Sequence, residues 1–358
     1  MAPPTPSVKG RGARSNATSR FVSAQREDFD DGWTVEDPQP VQLTTVALPD
    51  KARTIITRNT SPDIPFDRSI NPYRGCEHGC IYCFARPGHA YLGLSPGLDF
   101  ETRLFFKPEA AQLLTAELSR KSYRPKHIQI GADTDPYQPL ERKLRVTRQV
   151  LEVLQRFRHP LTIITKSNLI GRDADILGEM GKAGLARAAI SITTLDRKLA
   201  RSMEPRAATP QRRLEAVRTL TDAGCPVTVM FAPVIPGLND HELEQVLETS
   251  AAAGATAAGY VMVRLPLEIA DLFQEWLKTD HPDRAERVMS LVRQMRRGKA
   301  YTADWSVRGR GEGPLADLVA ARFRAARKRY GLERPREVLG VAAFRVPPRA
   351  GDQMDLFR

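Results

Sequence analysis

Cysteine is scarce in this sequence: there are four in 358 residues, and three of them fall between positions 76 and 83. That distribution excludes a disulfide framework and leaves no thiols for a second Cys-ligated cluster. Acidic residues are missing from the first twenty positions, which carry Lys9, Arg11, Arg14 and Arg20. No apolar run approaches the length of a membrane span, and the first residues lack the apolar core of a signal peptide. The expectation is a cytoplasmic protein with no membrane association.

What is present is the stretch Asn71-Pro72-Tyr73-Arg74-Gly75-Cys76-Glu77-His78-Gly79-Cys80-Ile81-Tyr82-Cys83, with thiols spaced C-x3-C-x2-C. Thiols this close in a reducing compartment point to a metal centre, because so short a loop would strain a disulfide. Gly75 and Gly79 let the backbone fold the three sulfurs inward. Two guests compete. A structural zinc would need His78 or His89 to complete a Cys3His set, whereas a [4Fe-4S] cube held by three cysteines keeps one iron free of protein.

The spacing in CEHGCIYC, with Tyr82 before the last cysteine, resembles the signature of the radical S-adenosylmethionine (radical SAM) superfamily. NPYRGCEHGCIYCFARP and the later GADTDPYQPLE are similar to the branch that includes spore photoproduct lyase and its uncharacterised relatives. The likeness runs over residues 69–266. It implies that Cys76, Cys80 and Cys83 bind three irons of a [4Fe-4S] cluster and that SAM chelates the fourth. It also implies an activity: a reductant such as flavodoxin or ferredoxin drives cleavage of SAM to a deoxyadenosyl radical that takes hydrogen from substrate.

Beyond the cysteines, short β-branched runs alternate with amphipathic helices. Candidate strands are 104–107, 127–131, 161–166, 189–194, 226–231 and 258–265, with a further strand near 54–57 leading toward the cysteines. Candidate helices cover 108–119, 142–158, 173–182, 210–223 and 240–253. Pro108 and Pro210 suit first turns, and Gly224 and Gly254 suit helix ends. The pattern predicts an α/β fold, a partial open (β/α)6 radical SAM barrel. Helices at 267–278, 284–297 and 314–329 follow. The predicted organisation is a disordered basic tail (1–40), the barrel (41–266), a C-terminal helical extension (267–340) and a flexible tail (341–358).

In such a fold the site lies beyond the carboxyl ends of the strands. Asp133, with Thr134 as alternative, sits where the superfamily holds the SAM amine; Asp135 reads equally as a turn residue before Pro136. Lys166 is a candidate for the SAM carboxylate and Ser167 for ribose or a helix cap. Ser191 and Thr193 share one face of the strand that ends there. Val234 and Gly237 fall in the segment resembling the adenine-contact turn, where Asn239 or Asp240 is expected to cap the next helix. Tyr82 reads as an adenine neighbour or as core. Arg206 is a candidate carboxylate partner, and Arg264 is a candidate substrate contact. Cys225 reads as a small buried residue, with hydrogen-atom donation as the alternative. No match for the lyase's donor-cysteine motif is present, so the exact lyase reaction does not follow from the resemblance.

The formal charge of +12, with a pI near 9.8, points to DNA or RNA as partner. The tail Gln353-Met354-Asp355-Leu356-Phe357 resembles the peptide that docks on the bacterial sliding clamp, with Gln353, Leu356 and Phe357 as its contacts. Three functions are carried forward. They are a radical SAM enzyme acting on nucleic acid, such as a DNA lesion in repair; the same chemistry on a protein, peptide or small metabolite; and a zinc-stabilised nonenzymatic nucleic-acid-binding protein.

Overall fold

The computed structural model describes residues 8–22, 43–333 and 339–348. Among them ten strands form two sheets. They are β1 (Val46–Pro49), β2 (Ile56–Arg58), β3 (Arg68–Ile70), β4 (Tyr73–Arg74), β5 (Arg103–Phe106), β6 (Ile128–Ile130), β7 (Leu161–Thr165), β8 (Ala186–Ser191), β9 (Val227–Val234) and β10 (Ala257–Met262). The larger sheet has the order β10-β9-β8-β7-β6-β3-β2. Every neighbouring pair from β3 to β10 is parallel, and β2 pairs antiparallel with β3 at the edge. Helices Val146–Arg156, Ala174–Lys182, Pro210–Ala223 and Leu243–Ala252 connect successive strands from β6 to β10. This is the partial open (β/α)6 barrel with a helical extension that the pattern predicts. Buried strands read as near-continuous apolar runs because helices cover the outer face; β9, with six of eight residues buried, is the clearest case.

The membership of the barrel differs from expectation at its first strand. The predicted 104–107 run overlaps β5, which belongs to a separate three-stranded sheet, parallel to β1 and antiparallel to β4. The first barrel strand is β3, whose three residues are too few to show a period in sequence. The 54–57 run overlaps β2, an antiparallel edge strand. The small sheet has its own purpose: Tyr73 pairs with Phe106 and Arg74 with Phe105, so the chain entering the cysteine loop is bonded to the chain leaving it.

The helix expected over 142–158 is broken into Glu141–Leu144 and Val146–Arg156, with Arg145 at φ 53° between them. The cause is Glu141, whose carboxylate accepts the backbone N–H groups of Thr147 at 3.0 Å and Arg148 at 3.3 Å. Those donors open the second helix and have no intrahelical acceptor, so the chain turns back to present them.

Helices Ile269–Asp280, Pro282–Gln294 and Pro314–Arg329 form the C-terminal extension. Ile269, Phe273, Trp276, Val288 and Val292 of the first two pack in one cluster with Ile81 and Tyr82 of the cysteine loop. The extension is thus a wall of the site.

The disordered tail predicted for 1–40 is corrected over its described part. Residues 8–22 form a strap bound to the body: Gly12 and Ala13 donate to the Glu101 carboxylate at 2.9 and 2.8 Å, and Ser15 Oγ donates to Glu275 at 2.8 Å. Arg14 pairs with Asp280 at 2.7 Å and Arg20 with Glu268 at 2.5 Å. These arginines therefore meet the protein's own acids. Gln353, Leu356 and Phe357 lie outside the described residues. Among the described residues no helix is long and apolar enough to cross a membrane.

His159 supplies a pH test of the fold. It is fully buried against Tyr123, whose hydroxyl lies 2.7 Å from Nε2, and burial pulls its pKa from 6.5 down to about 4. A group depressed in this way favours the neutral form, so the unfolded chain takes up protons that the folded one refuses as pH drops from 6.5 to 4. Stability should fall over that window, by at most about 3 kcal/mol from this residue. Denaturant unfolding of His159→Gln should show a flatter acid limb than the parent; an unchanged limb would place the linkage elsewhere.

Candidate functional site

All six parallel strands of the barrel deliver their carboxyl ends to one face, and the cysteine loop lies there. It begins six residues beyond the end of β3. Gly75 and Gly79 both have positive φ, 73° and 66°, which a side chain resists. Space is equally restrictive, because a Cβ on Gly79 would lie 2.6 Å from Glu101 Oε2. One on Gly12 of the strap would lie 1.8 Å from the Gly79 carbonyl oxygen. Beneath the loop sits a buried ion pair. Arg86 Nη2 meets Glu101 Oε1 at 2.5 Å, while Arg86 also donates to the carbonyls of Cys80, Pro96 and Gly97. Every polar atom of this support is directed at backbone or at its own ion-pair partner, so its job is to hold loop shape.

The second motif explains why it accompanies the first. The Gln138 side chain, fully buried, accepts from Glu77 N at 2.9 Å and donates to Gly75 O at 3.2 Å, gripping the backbone on both sides of Cys76. Thr134 Oγ1 donates to Tyr73 O at 2.8 Å, and Glu141 accepts the Tyr73 hydroxyl. Asp135 accepts from Thr165 Oγ1 at 2.6 Å and Lys166 N at 2.8 Å, and its Oδ2 lies 3.3 Å from His78 Nδ1. Burial works against that carboxylate, but the His78 charge and these donors outweigh it and bring its pKa to about 2. Replacing Gln138 with leucine strands one donor and one acceptor on the loop backbone, a cost of about 2–4 kcal/mol at ~1–2 per group. The variant should retain less iron after anaerobic reconstitution and release it faster to a chelator; parental iron retention would reject the role.

The other residues singled out from sequence divide into two groups. Asp133 is exposed at the barrel mouth, hydrogen-bonded through its N–H to Asn71 Oδ1 at 3.0 Å. Lys166 reaches over the Tyr82 ring at 5.8 Å, and its charge favours the thiolate forms of Cys80 and Cys83. Ser167 is the cap that its alternative reading proposed, accepting from Leu169 N at 3.2 Å. Of these, Lys166 and Asp133 act on the thiols through their charge.

The second group is turned into the protein. Thr193 donates to Glu204 at 2.5 Å, Ser191 gives its carbonyl to Arg213 at 3.0 Å, and the Tyr82 hydroxyl also binds Glu204. Val234 is fully buried, and a Cβ on Gly237 would meet Leu291 at 3.0 Å, so this glycine admits the extension helix. Asn239 does not cap the next helix. Its amide instead ties Ile235 N, Pro233 O and Thr193 O together at 2.7, 3.0 and 2.7 Å. Arg206 does find a carboxylate, Glu77, at 3.1 Å. Cys225 precedes β9 at the opposite end of the sheet, across about 26 Å of strand at roughly 3.3 Å per residue. Cys225 is thus the small buried residue that its first reading gives, and the alternative of hydrogen donation at the cysteine loop has no support in its position.

Glu204 and Arg213 were invisible as a site in sequence. They form a buried ion pair, and Glu204 ties Tyr82 of the loop to Thr193 of the barrel. Gln138, Glu141, Arg86 and Glu101 were likewise missed, although the first three stand within the two quoted motifs. A motif's length marked them. Their roles need the contacts.

The donor chemistry fits an iron-sulfur guest. Cys76, Cys80 and Cys83 are free, and burial pushes all three thiols up; Cys76 is raised further by Asp135 and by the other two sulfurs, and Cys80 by Glu204 and Cys83. Three thiols that feel one another and resist ionisation alone ionise when metal cations supply the opposing charge. The candidates for a fourth zinc ligand are placed differently: His78 Nδ1 lies 3.3 Å from Asp135 Oδ2 without a hydrogen bond, and His89, buried with its pKa lowered to about 4, bonds Arg103 O at 2.9 Å.

An open parallel barrel that carries three free thiols on one braced loop, two of them buried and Cys83 half-buried, flanked by a lysine, has the architecture of the radical SAM class. The sequence profile described as the radical SAM superfamily matches residues 70–249, half of the chain, and the chain belongs to that superfamily. Its cofactors are a [4Fe-4S] cluster and S-adenosylmethionine. An uncharacterised protein of Mycobacterium tuberculosis is 37% identical over 233 residues, 64% of this chain and 68% of that protein. An uncharacterised protein of Methanocaldococcus jannaschii is 26% identical over 178 residues, 48% of this chain and 62% of that one. In fold, the chain is similar to a mutant of spore photoproduct lyase with TM-score 0.55 at 13% identity, covering 85% of this chain and 86% of the lyase.

Proposed function

We propose that this is a radical SAM enzyme whose substrate is a nucleic acid. The observation that carries the reading is a set of exposed rings beneath guanidinium groups on the segment that follows the cysteine loop and on the strap. Phe84, next to Cys83, is 43% exposed with Arg264 at 4.8 Å from its centroid. Tyr91 and Phe21, 75% and 58% exposed, share Arg20 at 5.4 and 4.7 Å. Bases stack on such rings whatever their identity, and guanidinium groups add charge for the backbone. Among the described residues Arg324, Lys328 and Arg329 pair with no carboxylate, which adds free positive charge on the extension. A structure of spore photoproduct lyase complexed with dinucleoside spore photoproduct shares the fold, with TM-score 0.51 at 15% identity.

When bound, the two cofactors supply reductive carbon–sulfur cleavage and hydrogen abstraction from carbon. The chain's own residues hold and shield. Cys76, Cys80 and Cys83 would hold the cluster, and Lys166 places a cation beside them. Gln138, Glu101 and the strap fix the loop, and the extension helices close it from water with Phe273 and Trp276. Polynucleotide binding tests the substrate assignment. Anisotropy with labelled single-stranded DNA and RNA should show affinity falling steeply with salt, and Phe84→Ala should weaken it about tenfold, as for loss of one stacked base. No binding at low salt would reject nucleic acid and favour a protein, peptide or small metabolite.

A further inference from the structure

Arg296 is fully buried, yet only one of its three nitrogens has a partner. Nη2 donates to the carbonyls of Val263 at 2.5 Å and Arg308 at 3.2 Å, while Nε and Nη1 meet no acceptor. Close by, Arg264 follows the end of β10 and lies over Phe84; its Nε is also buried without an acceptor. Asp63 is taken by Arg308 through two contacts of 2.6 and 2.5 Å, and Glu268 meets Arg20 through Oε1 alone, its Oε2 being buried without a donor.

Buried guanidinium groups normally have their donors satisfied, since an unpaired charge in a dry site is costly. Here burial and the Arg264 charge both disfavour the Arg296 cation, lowering its pKa to about 10, which still leaves it charged at neutral pH. Two cations that repel each other, with three unmet donor nitrogens, suit an oxyanion brought by a ligand, since neither Asp63 nor Glu268 accepts a hydrogen bond from those nitrogens.

We propose that Arg264 and Arg296 form an anion subsite at the carboxyl end of β10 that takes a phosphate of the substrate, with the neighbouring base on Phe84. The anion site stands on the unmet donors alone; the phosphodiester identity rests on the nucleic-acid reading above. A phosphate seated here would register the nucleotide beside Cys83, at the point where hydrogen abstraction is to occur.

The test uses the cluster-loaded full chain and three probes: inorganic phosphate, a thymidine dinucleoside monophosphate, and SAM. Thermal shift and calorimetric binding should show both phosphate probes binding the parent, the dinucleotide more tightly. Arg296→Met should weaken both at least tenfold while leaving SAM affinity within twofold. The substitution removes two unmet donor nitrogens but also the two carbonyl bonds of Nη2, so the melting temperature without ligand should change little. Arg264→Gln, at a partly exposed position, gives the same readout should Arg296→Met fail to fold. Phosphate binding without dinucleotide binding would keep the anion site and defeat the nucleic-acid reading. Polynucleotide binding unchanged in both variants would do the reverse. Neither phosphate probe binding the parent would overturn the subsite, as would a loss confined to SAM, which would assign the arginines to the cofactor's carboxylate.

Discussion

Replacing any one of Cys76, Cys80 or Cys83 with alanine is expected to take iron content after anaerobic reconstitution from about four per chain to below one, and SAM cleavage down at least a thousandfold. Each sulfur would serve a different iron, so none could cover for another. Cys225→Ala should leave both quantities unchanged, because that thiol sits buried at the far end of β9. Iron and sulfide assays beside product analysis from labelled SAM decide the matter. A single-cysteine variant with parental iron and cleavage would end the assignment.

The second large effect concerns stability. Arg213→Met leaves Glu204 as a buried carboxylate with two hydroxyl donors, from Tyr82 and Thr193, and no cation. Breaking a buried pair from one side costs about 3–5 kcal/mol. Burial already raises the Glu204 pKa, and Arg213 is the main group holding it down. Without the arginine the carboxyl titrates still higher. A raised carboxyl pKa favours the fold at low pH, so the gap between variant and parent should narrow as pH falls from 7 toward the unfolded value near 4.5. Arg213→Met with Glu204→Leu should recover part of the loss, the remainder being the two stranded hydroxyls. A pH-independent gap would mean that packing, rather than the unpaired charge, set the cost.

Both predictions depend on how the loop is held. The Arg86–Glu101 pair supports it from below, the strap crosses it at Gly79, Gln138 grips Cys76, and Glu204 reaches Tyr82 from the side. Four elements far apart in sequence thus converge on eight residues. Such over-determination suits a site that must keep three sulfurs in place while a ligand comes and goes.

How much of this was legible beforehand follows from the range of each interaction. The C-x3-C-x2-C run is local, so its chemistry could be read from spacing. The β6 to β10 alternation is periodic, so the barrel could be read from pattern. Pro210 and Gly224 mark the helix Pro210–Ala223 where expected, since caps involve only neighbours. Legibility ended where a signal was short or shared. β3 has three residues and no period. β5 looks like any barrel strand, and only its partners place it elsewhere. Thr193 and Ser191 alternate as a ligand-facing pair would, yet the Thr193 hydroxyl is taken by Glu204 and the Ser191 carbonyl by Arg213.

The amino-acid order by itself determined the three-thiol loop, its superfamily and the repeating strand–helix architecture, because those depend on contacts between near neighbours and on periodicity. Only the tertiary structure decided which polar residues face the site and which brace it. It alone joined residues 8–22 to the loop, turned Cys225 away and left Nε of Arg264 and Nε and Nη1 of Arg296 without acceptors. The physical reason is that burial and hydrogen-bond partnership belong to pairs of distant residues, and a linear sequence names the members of such pairs without saying who meets whom.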